Sequence, residues 1–378
     1  MQERLGIIGG GQLGGFLCQA AKQLGIHTTV LSPTSEGLVT EHASEMINGS
    51  FDDLAAVDKL LTTCDVITFE LEDIPVETLQ KLATQRSVRV FPEPSTMMLI
   101  QNKGKQKDWL VANGFPTSKH LRFDNGLDQQ GCLEQLGPDF VIKTQRGGYD
   151  GQGVKVVRNA QVPSEYDQVP TIAEALIQDF CEIAALVARG VDGACVAFPL
   201  FQSDFDDEGN VVRRVVCPAP VRDEVAEQAN ALACEIVTAM GGTGIFAVEY
   251  FLTDSQLLVN EIAPRVHNVG HLTIEASNVS QFEQHVRAVM GMSLVGPQVK
   301  TAAMENLLYE EAIAAACLQS SDVKIPDVTV HWYGKKSPRT LRKMGHLTAV
   351  SDTLVGAGEL ADQALEALTA INAAAADQ

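Results

Sequence analysis

The chain has 378 residues, of which 45% are hydrophobic, and its 48 acidic residues outnumber 28 lysines and arginines to give a formal net charge of −20. This length can bury a large core and exceeds one typical domain, so we expect two or three domains. The negative charge argues against nucleic acid or an anionic membrane as partner. No apolar run approaches the ~20 residues of a membrane span, and the N-terminus lacks a signal-peptide profile, so we expect a cytoplasmic protein.

Residues 1–100 alternate β-branched runs with amphipathic segments. The runs LGIIGG, HTTVLSP and DVITFE are typical of strands, and QLGGFLCQAAKQLG and VETLQKLATQR are typical of helices. Strands that alternate with helices predict a parallel sheet with helices on its faces, which is an α/β, Rossmann-like domain.

A glycine loop follows the first predicted strand. Residues 9–14 read GGGQLG and match the dinucleotide fingerprint G-x-G-x-x-G, but the second strand ends in Ser32 and Pro33 instead of the acid that would hold a ribose. A dinucleotide is therefore disfavoured. The alternative is a glycine turn that brings a helix N-terminus close to some other anion.

Strands follow one another more closely from about residue 139 to 263, which predicts an α+β domain over residues 101–298. The last segment, residues 299–378, is predicted to be a small C-terminal domain that ends in an alanine-rich helix. The eight cysteines form no CxxC pair and lie mostly in apolar runs, so we expect free thiols.

A second glycine loop, RGGYDGQG at residues 146–153, lies between two predicted strands. Val154 stands where a P-loop would have lysine, and a strand follows instead of a helix. With Lys143 just before it, the loop can fold over a triphosphate as a flap whose backbone N–H groups face the phosphate oxygens. The alternative is an ordinary flexible hairpin turn.

Two acids are predicted to face each other across a hairpin. If GIFAVEYFL and QLLVNEIA fold about residue 255, then Glu249 and Glu261 are directly opposed. Strand alternation places a set of apolar residues on the same face, namely Ile245, Ala247, Phe251, Leu257 and Val259. Two half-buried carboxylates repel each other unless one is protonated or a cation lies between them, and Mg²⁺ suits such oxygen ligands. A shifted register that leaves both in solvent is the alternative.

Five motifs together resemble one enzyme family. They are TFELEDIP (68–75), KTQRGGYDGQG (143–153), NEIAPRVHNVGH (260–271), SQFEQHVRAV (280–289) and RKMGH (342–346). In colinear order along nearly the whole chain, they resemble the N5-carboxyaminoimidazole ribonucleotide synthetases of bacterial purine biosynthesis. The resemblance implies an ATP-grasp fold with an N-terminal Rossmann-like domain and a small C-terminal domain. It also implies that ATP and bicarbonate form carboxyphosphate, which carboxylates the amine of 5-aminoimidazole ribonucleotide.

The resemblance assigns roles by motif position. It implies that ATP is bound by Lys107, Lys143, Gly148, Tyr149, Asp150, Gly151, Gln152, Gly153, Glu174, Glu182 and Asn260, with Glu182 on the ribose. Glu249 and Glu261 would hold Mg²⁺, in agreement with the hairpin argument. Arg265, His267 and Asn268 would line the space where carboxyphosphate forms. The ribonucleotide would contact Glu70, Tyr149 and Asp150, and its 5′-phosphate would meet Lys335, Arg342 and Lys343. A homodimer is also implied.

The last of these residues lie in the basic run KKSPRTLRK, residues 335–343, whose alternative interpretation is a solvated loop. Several positions depart from the family pattern. Val269 replaces a serine, the segment around Ser203 differs, Thr340 and Leu341 replace the residues of a tight turn, and Asn102-Lys103 stands where the family has Asp-Arg. These departures favour, as a second hypothesis, an ATP-grasp ligase that acts on a different amine. A third is a non-catalytic nucleotide-binding relative.

Overall fold

The computed structural model describes residues 3–34, 36–148, 153–166, 168–205, 211–309, 325–336, 339 and 341–376, with side chains as far as residue 369. Tyr149, Asp150, Gly151, Gln152 and Thr340, all singled out in the sequence, lie outside these residues. Within the described part, no helix combines the length and apolar character needed to cross a membrane.

The N-terminal region forms a parallel sheet with helices packed on it, as predicted. Its strands are β1 (Leu5–Ile8), β2 (Thr28–Ser32), β3 (Glu45–Asn48), β4 (Val66–Phe69) and β5 (Arg89–Val90). Its helices are α1 (Gln12–Gln23), α2 (Leu38–His42), α3 (Leu54–Thr63), α4 (Val76–Arg86) and α5 (Pro94–Ile100). The strand order is β3-β2-β1-β4-β5, and every pairing is parallel. Buried apolar strands such as LGII and VITF explain why the sheet is covered on both faces.

A small antiparallel sheet follows in the chain. It contains β6 (His120–Phe123), β7 (Phe140–Thr144), β8 (Val154–Val157) and β9 (Thr171–Ala175), accompanied by helices α6 (Lys103–Ala112) and α7 (Gln129–Leu136). The order is β6-β9-β7-β8, so the glycine flap of residues 146–153 joins the edge pair β7 and β8. The run TIAEA that forms β9 is short and carries the buried Glu174, so it gives only a weak strand pattern in the sequence.

A large antiparallel sheet forms the rest of the molecule. Its strands are β10 (Cys181–Arg189), β11 (Cys195–Ala197), β12 (Phe201–Phe205), β13 (Val212–Cys217), β14 (Gly244–Leu252), β15 (Leu257–Ala263), β16 (Ala302–Leu308), β17 (Val328–Trp332) and β18 (Lys343–Val350). The helices are α8 (Asp223–Met240), α9 (Thr273–Ala276), α10 (Gln281–Val289) and α11 (Leu354–Ala376).

The C-terminal strands continue this large sheet. Its order is β15-β14-β10-β12-β13-β16-β18-β17, with β11 attached to β10. The antiparallel pairing of β13 with β16 therefore crosses the predicted boundary at residues 298 and 299. The sequence pattern could not show this, because the two strands are far apart in the chain and pair only in the folded protein.

Candidate active site

The predicted acid pair exists at the hairpin β14–β15. Glu249 and Glu261 are directly paired, and their side chains are 21% and 31% exposed. The register shifts by one residue between Glu249 and Tyr250, which leaves Asn260 as the extra residue of a β-bulge. The half-buried placement of the two acids is confirmed.

The bulge makes one part of the hairpin prediction wrong. Leu257 and Val259 were expected to share the acids' face, but Val259 pairs with Tyr250 and both leucine and valine lie in the core on the other side of the sheet. Strict alternation fails there because an inserted residue reverses the face of everything beyond it. Ile245 and Ala247 remain in the core cluster on the acids' side.

Charge is unevenly shared by the two acids. Burial and the neighbouring Glu261 raise the pKa of Glu249 to about 7. Burial also opposes ionisation of Glu261, but Lys103 and Lys143 outweigh it and lower its pKa. The Lys103 ammonium contacts Glu261 Oε1 directly. One carboxylate is thus ionised against a lysine while the other holds a proton near neutral pH, which is the behaviour of a pair that a divalent cation would complete.

A buried lysine cluster adjoins the acid pair. Glu174 lies 3.3 Å from Lys107 Nζ and 3.1 Å from Lys143 Nζ, and all three side chains are nearly inaccessible. Burial opposes the charge of Glu174, but the two lysines prevail and lower its pKa to about 2. Burial together with Lys143 lowers the pKa of Lys107 to about 8, although Glu174 acts in the opposite direction.

These two pKa shifts describe one arrangement. Among the described residues, the carboxylate has two cationic neighbours and is fully ionised, whereas the two ammonium groups share this one carboxylate. Lys107 also donates to Thr117 Oγ1, Ser118 Oγ and the carbonyl of Val259. The cluster therefore carries one excess positive charge, which suits a phosphate oxygen.

The bulge connects the two groups. Lys143 Nζ donates to Asn260 Oδ1 at 3.0 Å, so the inserted residue faces the lysines. Its neighbour Glu261 faces Glu249, the other member of the acid pair. Glu182, on β10 beside β14, adds a third carboxylate, and burial followed by repulsion from Glu249 raises its pKa well above the usual range. Gly148 and Gly153 of the glycine flap have φ of +78° and +76°, which glycine adopts without strain.

Segment 265–268 lies next to Glu249. His267 Nε2 is 3.3 Å from Glu249 Oε1, and burial followed by Arg265 lowers the histidine's pKa well below 6.5. The imidazole is therefore neutral. Arg265 pairs with Glu72 at 3.0 Å. Asn268 exchanges hydrogen bonds with Asn306 of β16, at 2.9 Å and 2.8 Å.

Gln281 holds this segment from behind. Its side-chain oxygen accepts from the His267 N–H at 2.8 Å, and its amide donates to the His267 carbonyl at 2.7 Å. Gln281 is fully buried. Both ends of its amide group are thus used to fix the backbone of the histidine.

The first glycine loop binds a carboxylate of the protein itself. The N–H groups of Gly11 and Gly14 donate to the two oxygens of Glu70 at 2.6 Å and 2.7 Å. The anion expected at the N-terminus of α1 is therefore Glu70, which stands 59 residues from Gly11 in the chain. A Cβ on Gly9 would lie 2.2 Å from Glu70 Cγ, so only glycine fits there.

A cleft of about 200 Å³ opens beside Glu70. Its lining includes the glycine loop, Ser32, Tyr333, Lys335 and Arg342. Arg342 lies 3.8 Å from Glu36, and the Lys335 ammonium is 5.1 Å from the centre of the Tyr333 ring. Lys343 lies deeper, 9% exposed, where its charge lowers the pKa of His267. The basic run thus contributes to a pocket, in line with the phosphate-site interpretation.

Comparison with known proteins identifies this architecture. Three family models match in succession: a ribonucleotide synthetase preATP-grasp domain over residues 1–101, an ATP-grasp domain over 108–282, and a phosphoribosylaminoimidazole carboxylase C-terminal domain over 302–359. The N5-carboxyaminoimidazole ribonucleotide synthase of Staphylococcus saprophyticus is 34% identical over 360 residues, which cover 93% of each chain. The chain belongs to the N5-carboxyaminoimidazole ribonucleotide synthetase family. It is an ATP-grasp ligase, and the predicted fold class is confirmed.

Two further relatives of the synthetase family extend this result. The chloroplastic phosphoribosylaminoimidazole carboxylase of Vigna aconitifolia is 36% identical over 364 residues, but the matched part is 93% of this chain and only 64% of that protein. The chain therefore spans about two thirds of this longer relative. A synthase from Aspergillus clavatus, solved with ADP and 5-aminoimidazole ribonucleotide, superposes with a TM-score of 0.87 at 28% identity and covers 97% of this chain and 98% of that one.

The structure places three of the departures from the synthetase pattern. Val269 is 1% exposed and belongs to an apolar core cluster, so its side chain packs in the core. Asn102 caps α6 through Lys105 N and donates to Gln145 Oε1 at 2.9 Å. Leu341 has φ of +61°, a left-handed conformation that costs a leucine roughly 1–2 kcal/mol relative to glycine.

Some residues that shape the site were not assigned a role from the sequence. They are Glu72, Lys103, Gln281 and Asn306. Glu72 and Gln281 stand in the quoted motifs, and Lys103 stands at one of the departures from the family pattern. An acid two residues after Glu70 and a lysine four before Lys107 were signals that could have been used. Asn306 gave none, because its partner Asn268 is reached only through the pairing of β13 with β16.

Proposed function

We propose that this chain carboxylates 5-aminoimidazole ribonucleotide at its exocyclic amine, with ATP and bicarbonate, and releases ADP and phosphate. The observation that carries the proposal is the meeting of a cationic lysine cluster, an opposed acid pair and the segment 265–268 at one place. The family relatives named above support the substrate, since the Aspergillus enzyme was solved with ADP and that ribonucleotide.

The acid pair fits Mg²⁺. The Glu261 carboxylate is ionised, and the Glu249 carboxyl is partly protonated near neutral pH. Together they offer hard oxygen ligands whose charge a divalent ion would neutralise. Bound there with ATP, the ion would supply charge neutralisation for the transferring phosphoryl group. Glu249 and Glu261 would hold it, and Lys103 would lose its present place on Glu261 or move toward the phosphates.

The protein's own groups account for the rest of the reaction. Lys107 and Lys143 bind phosphate oxygens, with Glu174 between them, and the glycine flap of residues 146–153, part of which lies outside the described residues, would bind the triphosphate. Glu182 takes the ribose hydroxyls. Arg265 and Asn268 orient the carboxyphosphate by donated hydrogen bonds, and His267, as a neutral imidazole, accepts or donates a hydrogen bond without carrying charge into the site. The hydrogen bonds from Gly11 and Gly14 to Glu70 hold the glycine loop at the edge of the ribonucleotide cleft.

Lys335 and Arg342 bind the 5′-phosphate in that cleft, with Lys343 adding positive potential behind them. Arg342→Ala should raise KM for the ribonucleotide by at least about tenfold while KM for ATP changes little, because a bidentate arginine–phosphate contact is lost. An unchanged KM for the ribonucleotide would remove Arg342 from the phosphate site. We further propose a homodimer, as the family resemblance implies, which sedimentation of the purified chain would test.

The deciding experiment measures ADP release with Mg-ATP and bicarbonate, with and without 5-aminoimidazole ribonucleotide. Strong stimulation that needs both bicarbonate and the ribonucleotide is expected. Slow release that ignores the ribonucleotide would instead favour an ATP-grasp ligase for a different amine.

A further inference from the structure

A second cluster of metal-ligand side chains lies away from the acid pair. Glu275 of α9, His331 of β17 and His346 of β18 meet there, and we call them the histidine–glutamate cluster. His331 and His346 are directly opposed on neighbouring strands, so their side chains share one face of the sheet. His346 ends the motif RKMGH but was assigned no role by it, and the proposed reaction uses none of the three groups.

The three side chains converge closely. His331 Nε2 lies 2.6 Å from Glu275 Oε1, and the two imidazole rings stack with centroids 4.7 Å apart. One ligand atom from each residue lies within 4.8 Å of the other two. Tetrahedral zinc, with bonds of about 2.0–2.1 Å, spaces its ligands by roughly 3.3 Å, so side-chain shifts of about 1 Å would bring all three onto one ion.

Polar atoms in the cluster lack partners. Among the described residues, Glu275 Oε2 and His346 Nε2 are buried without a hydrogen bond, and so is Nε2 of the adjacent His271. Such atoms are rare in folded proteins because each loses its hydration without replacement. A cation would satisfy the carboxylate oxygen and the ring nitrogen together.

A hydrogen bond at Nδ1 of His346 orients the ring so that Nε2 can act as a ligand. Its Nδ1 lies 2.8 Å from the Tyr333 hydroxyl. When Nδ1 carries the proton and donates it to this oxygen, Nε2 presents a lone pair to the cluster. Metal-bound histidines are commonly oriented by such a second hydrogen bond.

We propose that Glu275, His331 and His346 form a binding site for a divalent transition-metal ion of the zinc type. Two imidazoles and one carboxylate supply three ligands, and the partly exposed side of Glu275 and His331, at 16% and 21%, leaves a fourth position for water. Nitrogen ligands select such ions over Mg²⁺, so this site and the acid pair would take different metals. The ion would tie the short helix α9 to the last two strands, directly behind Tyr333 of the cleft.

Cobalt binding to the full chain tests the proposal. The titration is done with saturating Mg²⁺ and ADP, so that the acid pair is occupied, and Co²⁺ is followed by its visible absorption before Zn²⁺ is added to displace it. We expect one equivalent of Co²⁺ to bind and its absorption to show the intense bands of four-coordinate cobalt. His331→Gln and Glu275→Gln should each weaken binding by at least about tenfold, while His27→Gln, at an exposed histidine, should leave it unchanged.

Folding is checked separately by circular dichroism, and both ligand variants change partly exposed side chains. Absence of the four-coordinate spectrum in the wild-type chain would overturn the proposal. So would equal affinity in the wild type and His331→Gln, or cobalt–sulfur charge-transfer bands, which would place the ion on cysteines. Thermal unfolding gives a second readout, since Zn²⁺ should raise Tm of the wild type and of His27→Gln but not of His331→Gln.

Discussion

The lysine cluster and the acid pair adjoin each other, and once Glu249 releases its proton they carry opposite excess charge. Lys107 and Lys143 share the single carboxylate of Glu174 and are almost completely buried. Glu249 and Glu261 share the single ammonium of Lys103 and are more open, at 21% and 31% exposure. Each group lacks one charge of the opposite sign. Polyphosphate with a divalent cation supplies both, so the pair of groups is complementary to Mg-ATP as a whole.

The largest expected effect comes from removing charge on the acid side. Glu261→Gln should lower kcat for ADP formation by roughly 10²–10³, in the range seen when one electrostatic contact to a transition state is removed. Exposed Glu235→Gln on α8 is the matched control and should keep full activity. Measured rates over a Mg²⁺ series would show the cause, and an undiminished rate in Glu261→Gln would contradict a metal site at the hairpin.

Replacing the carboxylate of the lysine cluster should lower the stability of the folded protein. Glu174→Gln leaves two buried ammonium groups without a counter-ion, and breaking a buried pair in this way lowers the free energy of unfolding by about 3 kcal/mol. Urea denaturation near neutral pH measures it, with exposed Glu165→Gln as control.

The loss in Glu174→Gln should shrink in the double variant Lys107→Met, Glu174→Gln, because one uncompensated charge is then removed. It should also shrink as pH rises toward about 8, because Glu174 raises the pKa of Lys107 and the variant's Lys107 therefore gives up its proton at a lower pH than that of the wild type. Equal stability of Glu174→Gln and wild type would mean that the cluster is not charged in the way described.

The acid pair also predicts a pH dependence. The pKa of Glu249 is raised from 4.5 to about 7, so without metal its proton stabilises the folded state fully below about 4.5, and this contribution is lost as pH rises through about 7. Mg²⁺ competes with the same proton. The affinity of the acid pair for Mg²⁺ should therefore fall by up to about tenfold for each pH unit below the raised pKa of Glu249. Glu249→Gln should remove this pH dependence and weaken Mg²⁺ binding overall.

The smallest effect concerns Lys103. Lys103→Met removes the cation that now neutralises Glu261, so Mn²⁺ should bind several-fold more tightly to the nucleotide-free chain. Calorimetric titration measures the affinity, with exposed Lys105→Met as the matched variant. Weaker Mn²⁺ binding in Lys103→Met would show that the lysine supports the ion instead of competing with it.

Local patterns in the sequence predicted much of this site. Period-two alternation placed Glu249 opposite Glu261, and the glycine-rich segment 146–153 proved to join two antiparallel strands. The same alternation misplaced Leu257 and Val259, because no sequence signal marked Asn260 as an inserted residue. Contacts between distant segments were beyond reach: the partner of the first glycine loop, Glu70, and the partner of Asn268 depend on how whole sheets are assembled.

The pairing of β13 with β16 has a consequence for dissecting this protein. Four backbone pairs join these strands, from Arg214 with Glu305 to Cys217 with Ala302. A shortened chain that stopped before β16 would leave one side of β13 as a bare sheet edge with unmet N–H and C=O groups. Such edges recruit strands from other molecules. The segment from β16 onward therefore covers this sheet edge, and truncation before it should yield aggregates in place of a smaller soluble enzyme.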